Sequence, residues 1–391
     1  MIKIDLLPLV FTDTINMMGK VYSNHHHIEK SLLWLNRAQD KGFRGGVSSW
    51  YGVFSGWGDP YIETTGYIIS TYLESYHYFK DKSYLKRAIK MADFLLSVQL
   101  PIGGFKTYLT KNGDTGYPTI FNTGQDLIGM VDIYNETRKK TYLESIVKTA
   151  DFLSNSIDKN GRWVKHSYDA KGHAYDSRVG YALLKASFLT GSKLHKQMAI
   201  KNLNWVIKQQ LSNGWFLNAE LPPPNPSDPY THTIAYTIEG LLFSGLLLKN
   251  KRMINSAKKA ADMVLSYYSK HKFIPGTFDK NWQSRDRYTC LTGDAQISVV
   301  WGVLYSYTKD KKYLQAVSNI NNFLKSLNRV DSKNKNIRGS LAGSFPIYGD
   351  LLRNEGYCRM SLINWAVKFY IDALLVEQLN KNETTIKYIG K

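Results

Sequence analysis

The sequence predicts an all-α protein, an (α/α)6 toroid in which six helical hairpins close a double ring. Three observations predict it. A weak internal repeat runs along the 391 residues, marked by a bulky apolar residue at Trp34, Phe94, Phe152, Trp205, Met263 and Phe323. Its spacing of roughly 53 to 60 residues is the signature of a repeat architecture. A Gly-aromatic turn follows most of the marks, and a second, more apolar helix then completes each unit.

The first helix of each unit is legible in the residues around the mark. The stretch SYLKRAIKMADFLLSVQ around Phe94 lines up with TYLESIVKTADFLSNSI around Phe152, and less closely with those around Trp205, Met263 and Phe323. Apolar residues recur at i, i+3, i+4 and i+7 with lysines between them, the pattern of a helix with one face in water. The turns follow as Gly103-Gly104-Phe105, Gly161-Arg162-Trp163, Gly214-Trp215-Phe216 and Pro275-Gly276-Thr277-Phe278. The second helices fall at 63–79, 122–137, 176–190, 232–248, 291–308 and 361–379, and are apolar around most of their circumference, which marks them as buried. They carry glycine at positions such as Gly66, Gly129 and Gly240. Each glycine costs about 1 kcal/mol against alanine, so close backbone approach is expected there. Polar outer and apolar inner helices close into a ring because an open stack would leave its end faces exposed.

No Pro/Ser-rich linker interrupts the repeat. One domain over 28–379 is therefore expected, with 1–27 an N-terminal arm and 380–391 a polar tail. The net charge of +19 comes from 51 Lys+Arg against 32 Asp+Glu. It fits a lysine-rich solvated face or attraction to an anionic partner. Nucleic acid is disfavoured, because no nucleic-acid module appears and the basic residues form no single run. An acidic polysaccharide fits better. Two cysteines, Cys290 and Cys358, make no disulfide framework. The opening residues, with one lysine and an apolar run broken by Asp5, Pro8 and Asp13, read as neither signal peptide nor membrane span, so a cytoplasmic protein is expected. His25, His26 and His27 are consecutive and cannot all face one ion on a regular helix. No metal and no cofactor are expected.

On repeat count, hairpin length and Gly-aromatic turns, residues 28–379 resemble the six-hairpin glycosidase-like superfamily of glycoside hydrolases, polysaccharide lyases and sugar epimerases. The resemblance implies a carbohydrate held at the end of the ring where the inner helices begin. Other α/α toroids are distinguished by what is missing: no Asp-x-Asp-Asp run of the terpene cyclases occurs. The flanks of Cys290, Cys358 and His232 lack the zinc patterns of lantibiotic cyclases and prenyltransferase β subunits.

The loops leading into the inner helices are rich in polar and aromatic residues, and Trp57, Tyr61, Tyr175, Tyr230, Tyr288, Tyr348 and Tyr357 suit stacking on sugar rings. Glu63 and Asp176 head the first and third inner helices, and Glu239 lies two turns into the fourth. A carboxylate in so apolar a helix needs partners or a raised pKa, and either makes it a candidate acid or base. His232 follows a Pro-rich loop and shares a helix face with Tyr236 and Glu239 at i+4 and i+7. Candidate catalytic residues are thus Glu63, Asp176, His232, Tyr236 and Glu239. Candidate substrate-binding residues are Trp57, Asp59, Asn122, Gln125, Tyr175, Arg178, Arg287, Tyr288, Gln296, Tyr348, Asn364 and Lys368. A hydrolase would use Glu63 and Asp176 as its carboxyl pair. A uronate lyase would neutralise the sugar carboxylate with Asn122, Arg178 or Arg287 and move protons with His232 and Tyr236 or Tyr288. A C5-epimerase would place two proton-transfer groups on opposite faces of the sugar, and Gly124-Gln125 is similar to the glucuronyl C5-epimerases. Cleavage of glycosidic bonds in an acidic glycan, by hydrolysis or elimination, is the expected function; a uronate epimerase and a non-catalytic glycan-binding toroid are the alternatives.

Overall fold

A computed structural model describes residues 7–15, 17–106, 117–223 and 225–381. Residues 1–6 of the expected arm and 382–391 of the expected tail lie outside the described residues. The outer helices are α2 (Asn24–Lys41), α4 (Lys82–Val98), α6 (Lys140–Ser156), α8 (Lys193–Lys208), α10 (Lys251–His271) and α12 (Lys311–Leu327). Each contains one of the six marks. The inner helices are α3 (Ile62–Phe79), α5 (Ile120–Thr137), α7 (Ser177–Thr190), α9 (Thr231–Leu248), α11 (Leu291–Thr308) and α13 (Asn364–Lys381). Successive inner helices pack side by side and α13 closes on α3, while each inner helix also packs on the outer helix that follows it and α13 on α2. The result is an (α/α)6 toroid.

The chain reverses in two ways. From inner to outer helix it takes only two residues, with Lys80, Arg138, Gly191, Lys249 and Lys309 in the left-handed region as helix C-caps. Side chains of Asp81, Ser192, Asn250 and Asp310 then cap the next helix. From outer to inner helix the connections are long, and they contain the Gly-aromatic turns. Small strands stitch these loops together: β1 (Trp50–Gly52) lies between β2 (Gly56–Trp57) and β5 (Ser361–Ile363), and β3 (Thr289–Cys290) pairs with β4 (Ser344–Phe345). All long loops therefore gather on the face where the inner helices begin.

The turn glycines Gly45, Gly103, Gly161, Gly214 and Gly339 all have positive φ, between 80° and 96°. A Cβ on Gly103 would land on the Lys148 carbonyl of the next outer helix, and one on Gly339 on the Lys30 carbonyl. A glutamine clasps the same joint. Gln99 Nε2 donates to Gly103 O and Ser145 O, both at 3.1 Å. Gln210 Nε2 repeats this on Gly214 O at 3.1 Å and Ser256 O at 2.9 Å, and Gln39 on Gly45 O and Arg87 O.

The inner glycines do what their cost implied. A Cβ on Gly129 would fall on the carbonyl of Gly66, so α3 and α5 meet backbone to backbone. Near the start of the chain, α1 (Leu7–Thr14) docks through Asp13, which bonds Arg329 Nη2 at 2.7 Å and accepts from the Ile347 amide at 3.0 Å. Helix α2 opens at Asn24, inside the segment expected as an arm. That places the three histidines in its first turn, with His27 buried and its Nδ1 2.9 Å from Asn328 Oδ1. No helix among the described residues is long and apolar enough to cross a membrane.

Candidate functional site

A cavity of about 480 Å³ opens at the head of the inner ring. Tyr61, Glu63 and Tyr67 of the α3 region line one side, Phe121 and Tyr175 the next, His232 and Tyr236 of α9 the third, and Tyr357 and Trp365 the fourth. Leu221, Pro222 and Pro223 of the Pro-rich loop form part of its wall. The aromatic rings hold one another: Phe121 meets Tyr175 and Tyr236 edge-on at 5.2 and 5.0 Å between centroids. Tyr175 stacks on His173 at 4.7 Å. Such a wall presents π faces to the C–H faces of a sugar. Among the described residues that line it there is no lysine or arginine.

Burial sets the protonation of this face. The Glu63 carboxyl is pushed up to about 7 by loss of water, against a hydrogen bond from Tyr61 and the nearby Arg178. Asp176 rises to about 7 for the same reason, against the neighbouring His173 charge and the His173 amide that donates to it at 3.2 Å. Asp176 sits in a 3-10 turn (Ala174–Asp176) at the head of α7, directly after the cavity residue Tyr175. Asp126, one turn into α5, was not among the sequence candidates. Both its carboxylate oxygens are buried without a hydrogen-bond partner, and burial followed by repulsion from Glu63 holds it well above the ordinary aspartate range. Its signal was available: a carboxylate in an otherwise apolar inner helix, the criterion that selected Glu239. Three carboxyls of raised pKa thus fall at the head, or within the first two turns, of three successive inner helices.

His232 is fixed from behind. Its Nδ1 lies 2.5 Å from Gln296 Oε1, and Gln296 Nε2 donates to Glu239 Oε2 at 3.4 Å. Glu239 is in turn the counter-ion of Arg178, whose Nε donates to Gln125 Oε1 at 2.8 Å. Since the amide oxygen can only accept, Nδ1 carries the proton and Nε2 keeps a lone pair. Burial pushes the imidazole down to about 3, so it is neutral. The Arg178 guanidinium also stacks 5.1 Å from the Tyr236 ring centre and 5.4 Å from that of Phe369. Lys368 pairs with Asp372 at 2.5 Å. Arg178 and Lys368 also line a second cavity, of about 470 Å³, reached from the ends of the inner helices.

The structure therefore brings Glu63, Tyr175, His232 and Tyr236 to the cavity, with Gln125, Arg178, Glu239 and Gln296 forming the network behind them. Asn122 accepts a hydrogen bond from the cavity residue Tyr168. The remaining candidates stand elsewhere. Trp57 packs on Trp34 and Tyr51 at 5.3 and 5.1 Å, toward the outer ring. Asn364 spends its amide on Ser48 O at 3.0 Å and Thr64 Oγ1 at 2.9 Å. Tyr348 packs against the core, Asp59 is half-buried outside the cavity lining, Arg287 is exposed, and Tyr288 lines a separate pocket. Sequence reasoning missed Tyr67, Phe121, Tyr168 and Trp365, aromatic residues that line the cavity.

No family model matches the chain, and no curated protein matches it by sequence. Solved structures do match. An unsaturated glucuronyl hydrolase specific for heparin superposes with a TM-score of 0.71 at 18% identity, over 91% of this chain and 97% of that one. A D-mannose isomerase gives 0.69 at 15% identity, over 91% and 97%. A cellobiose 2-epimerase from Bacillus thermoamylovorans B4167 gives 0.70 at 11% identity, over 92% and 98%. Helix order, ring closure and these superpositions together give the chain the (α/α)6 toroid fold that those structures share.

Proposed function

We propose that the chain is a carbohydrate-active enzyme that hydrolyses a glycosidic bond of a sugar held in the central cavity. The observation that carries this reading is Glu63: a carboxyl in an aromatic, sugar-sized cavity, with its proton retained by burial to about 7. A general acid works best with a pKa near the working pH. Glu63 would protonate the leaving oxygen; Asp176, which follows the cavity residue Tyr175 without itself lining the cavity, is proposed as the second carboxyl of the pair. His232, neutral and fixed in one tautomer, presents Nε2 as an acceptor for a sugar hydroxyl or the attacking water. Arg178, Glu239 and Gln296 act as positioning residues through that imidazole.

Hydrolysis is preferred to uronate elimination or C5-epimerisation because those reactions need a cation or strong donor on the sugar carboxylate. The described cavity lining supplies no lysine or arginine, and Arg178 is engaged by Glu239 and Gln125. Sugar epimerisation or isomerisation at a carbon beside a carbonyl is the second reading. Two of the three superposed structures favour it, and Glu63 with His232 would be its proton-transfer pair.

Glu63→Gln is expected to lower turnover of oligosaccharides by at least about a hundredfold while leaving sugar affinity within a few-fold, as for loss of a positioned acid. Release of new reducing ends supports hydrolysis, whereas incorporation of solvent deuterium at a sugar carbon without chain cleavage supports the second reading. Undiminished turnover in Glu63→Gln would overturn both.

A further inference from the structure

A third pocket, of about 440 Å³, lies on the face where the inner helices begin. The Pro-rich loop separates it from the central cavity: Leu221, Pro222 and Pro223 wall the latter, Pro226, Ser227 and Asp228 the former. Four carboxylates line this pocket, from Asp228, Asp279, Asp286 and Glu355, against one guanidinium, Arg285. Arg353 stands at its edge, donating to the Arg285 carbonyl at 3.3 Å and pairing with Glu355 at 3.5 Å. So acidic a pocket on a chain of net charge +19 is a local reversal of sign, the opposite of what a sulfated or carboxylated sugar needs.

The carboxylates are held in place. Asp286 Oδ2 accepts from the Thr277 amide at 2.7 Å and its hydroxyl at 2.8 Å. Asp279 Oδ1 accepts from the amides of Asn281 and Gln283 at 2.8 and 2.9 Å. Burial, and then repulsion from Asp279 across an opposing Arg285, raises Asp228 above an ordinary aspartate. A fifth group is independent of the acidic cluster. Tyr288 is only 2% exposed and lines the pocket, yet its hydroxyl, buried, has no hydrogen-bond partner. A buried hydroxyl left unbonded is costly, so a ligand atom is its natural complement.

We infer that this pocket binds a sugar residue carrying a free amino group, its ammonium set among Asp228, Asp279 and Glu355 and one of its hydroxyls on Tyr288. The volume suits a monosaccharide rather than a bare ion, since small-ligand sites begin at about 300 Å³. With the central cavity just across the loop, the ligand is the amino-sugar residue of a chain whose other end enters that cavity. This last link rests on the hydrolase reading; the binding itself does not.

The test is titration of the full chain with glucosamine, with N-acetylglucosamine and with calcium chloride, followed by calorimetry and by amide chemical shifts. Glucosamine is expected to bind at least about tenfold more tightly than N-acetylglucosamine, whose nitrogen is uncharged. Asp228→Asn with Asp279→Asn should erase that preference, and Tyr288→Phe should weaken glucosamine several-fold. Glu63→Gln should leave it intact. Equal binding of the two sugars, a preference that survives the double variant, or a response to calcium alone would overturn the inference. Loss of glucosamine binding in Glu63→Gln would do so too, by placing the amine in the central cavity. A failed hydrolase reading with glucosamine binding preserved separates the two proposals.

Discussion

Glu63 and Asp176 keep their protons to about 7 and Asp294 to about 8, because burial withholds the water that would solvate their carboxylates. An unfolded chain releases those protons near 4. Between these limits the folded state binds more protons than the unfolded one, so these groups make stability fall as pH rises. His232 and His27 act in the other direction. They stay neutral down to about 3 and about 4, while unfolded imidazoles charge below about 6.5, so their contribution is lost as pH falls. Glu63→Gln mimics the protonated form at every pH. It should match the parent near pH 4 and exceed it by roughly 3 kcal/mol near pH 8, in the same variant that loses turnover. Urea denaturation at the two pH values measures this. A difference that does not change with pH would mean that Glu63 is ionised at neutrality, and so is no proton donor.

At the scale of elements, the glutamine clasps are the joints of the ring. Gln210 bridges the turn at Gly214 to Ser256 of the next outer helix, and its Oε1 accepts from the Ser256 hydroxyl at 2.7 Å. Gln210→Ala strands two carbonyls and a hydroxyl at a half-buried joint, and should cost about 1–3 kcal/mol in urea denaturation without affecting sugar binding. The same scale explains what could be read in advance. Helix positions came within a few residues because amphipathic and all-apolar stretches alternate so regularly. The two-residue reversals were invisible, since Lys80, Lys249 and Lys309 occupy left-handed positions where sequence rules expect glycine. Glu63 and His232 could be picked out as residues of the cavity wall because a polar side chain in an apolar helix must be accounted for. Tyr67, Phe121 and Trp365 were not, because an aromatic residue in a buried helix reads the same whether it faces core or cavity. Which candidates share one site depended on the long loops, whose irregular course has no period to read.

For the whole molecule, what matters is that the ring has no privileged first unit. Its seam, between α13 and α2, is joined like any other contact: Asn24 Nδ2 donates to Glu377 Oε2 at 3.1 Å and Leu374 O at 3.4 Å, Trp34 Nε1 donates to Asn336 O at 2.8 Å, and β1 pairs with β5. The first outer helix starts beside the last turns of the final inner helix. A circle whose ends already meet can be cut elsewhere. A permutant opened at the two-residue reversal Lys249-Asn250, with residue 391 fused to residue 1, should assemble the same ring, because exposed tight turns are the sites where such cuts are tolerated. Far-ultraviolet circular dichroism and sugar titration would be expected to match the parent, with stability lower by no more than about 2 kcal/mol for the lost cap. If it does, the order in which the six units are synthesised is incidental to the architecture, and the cavity belongs to the circle rather than to any stretch of chain.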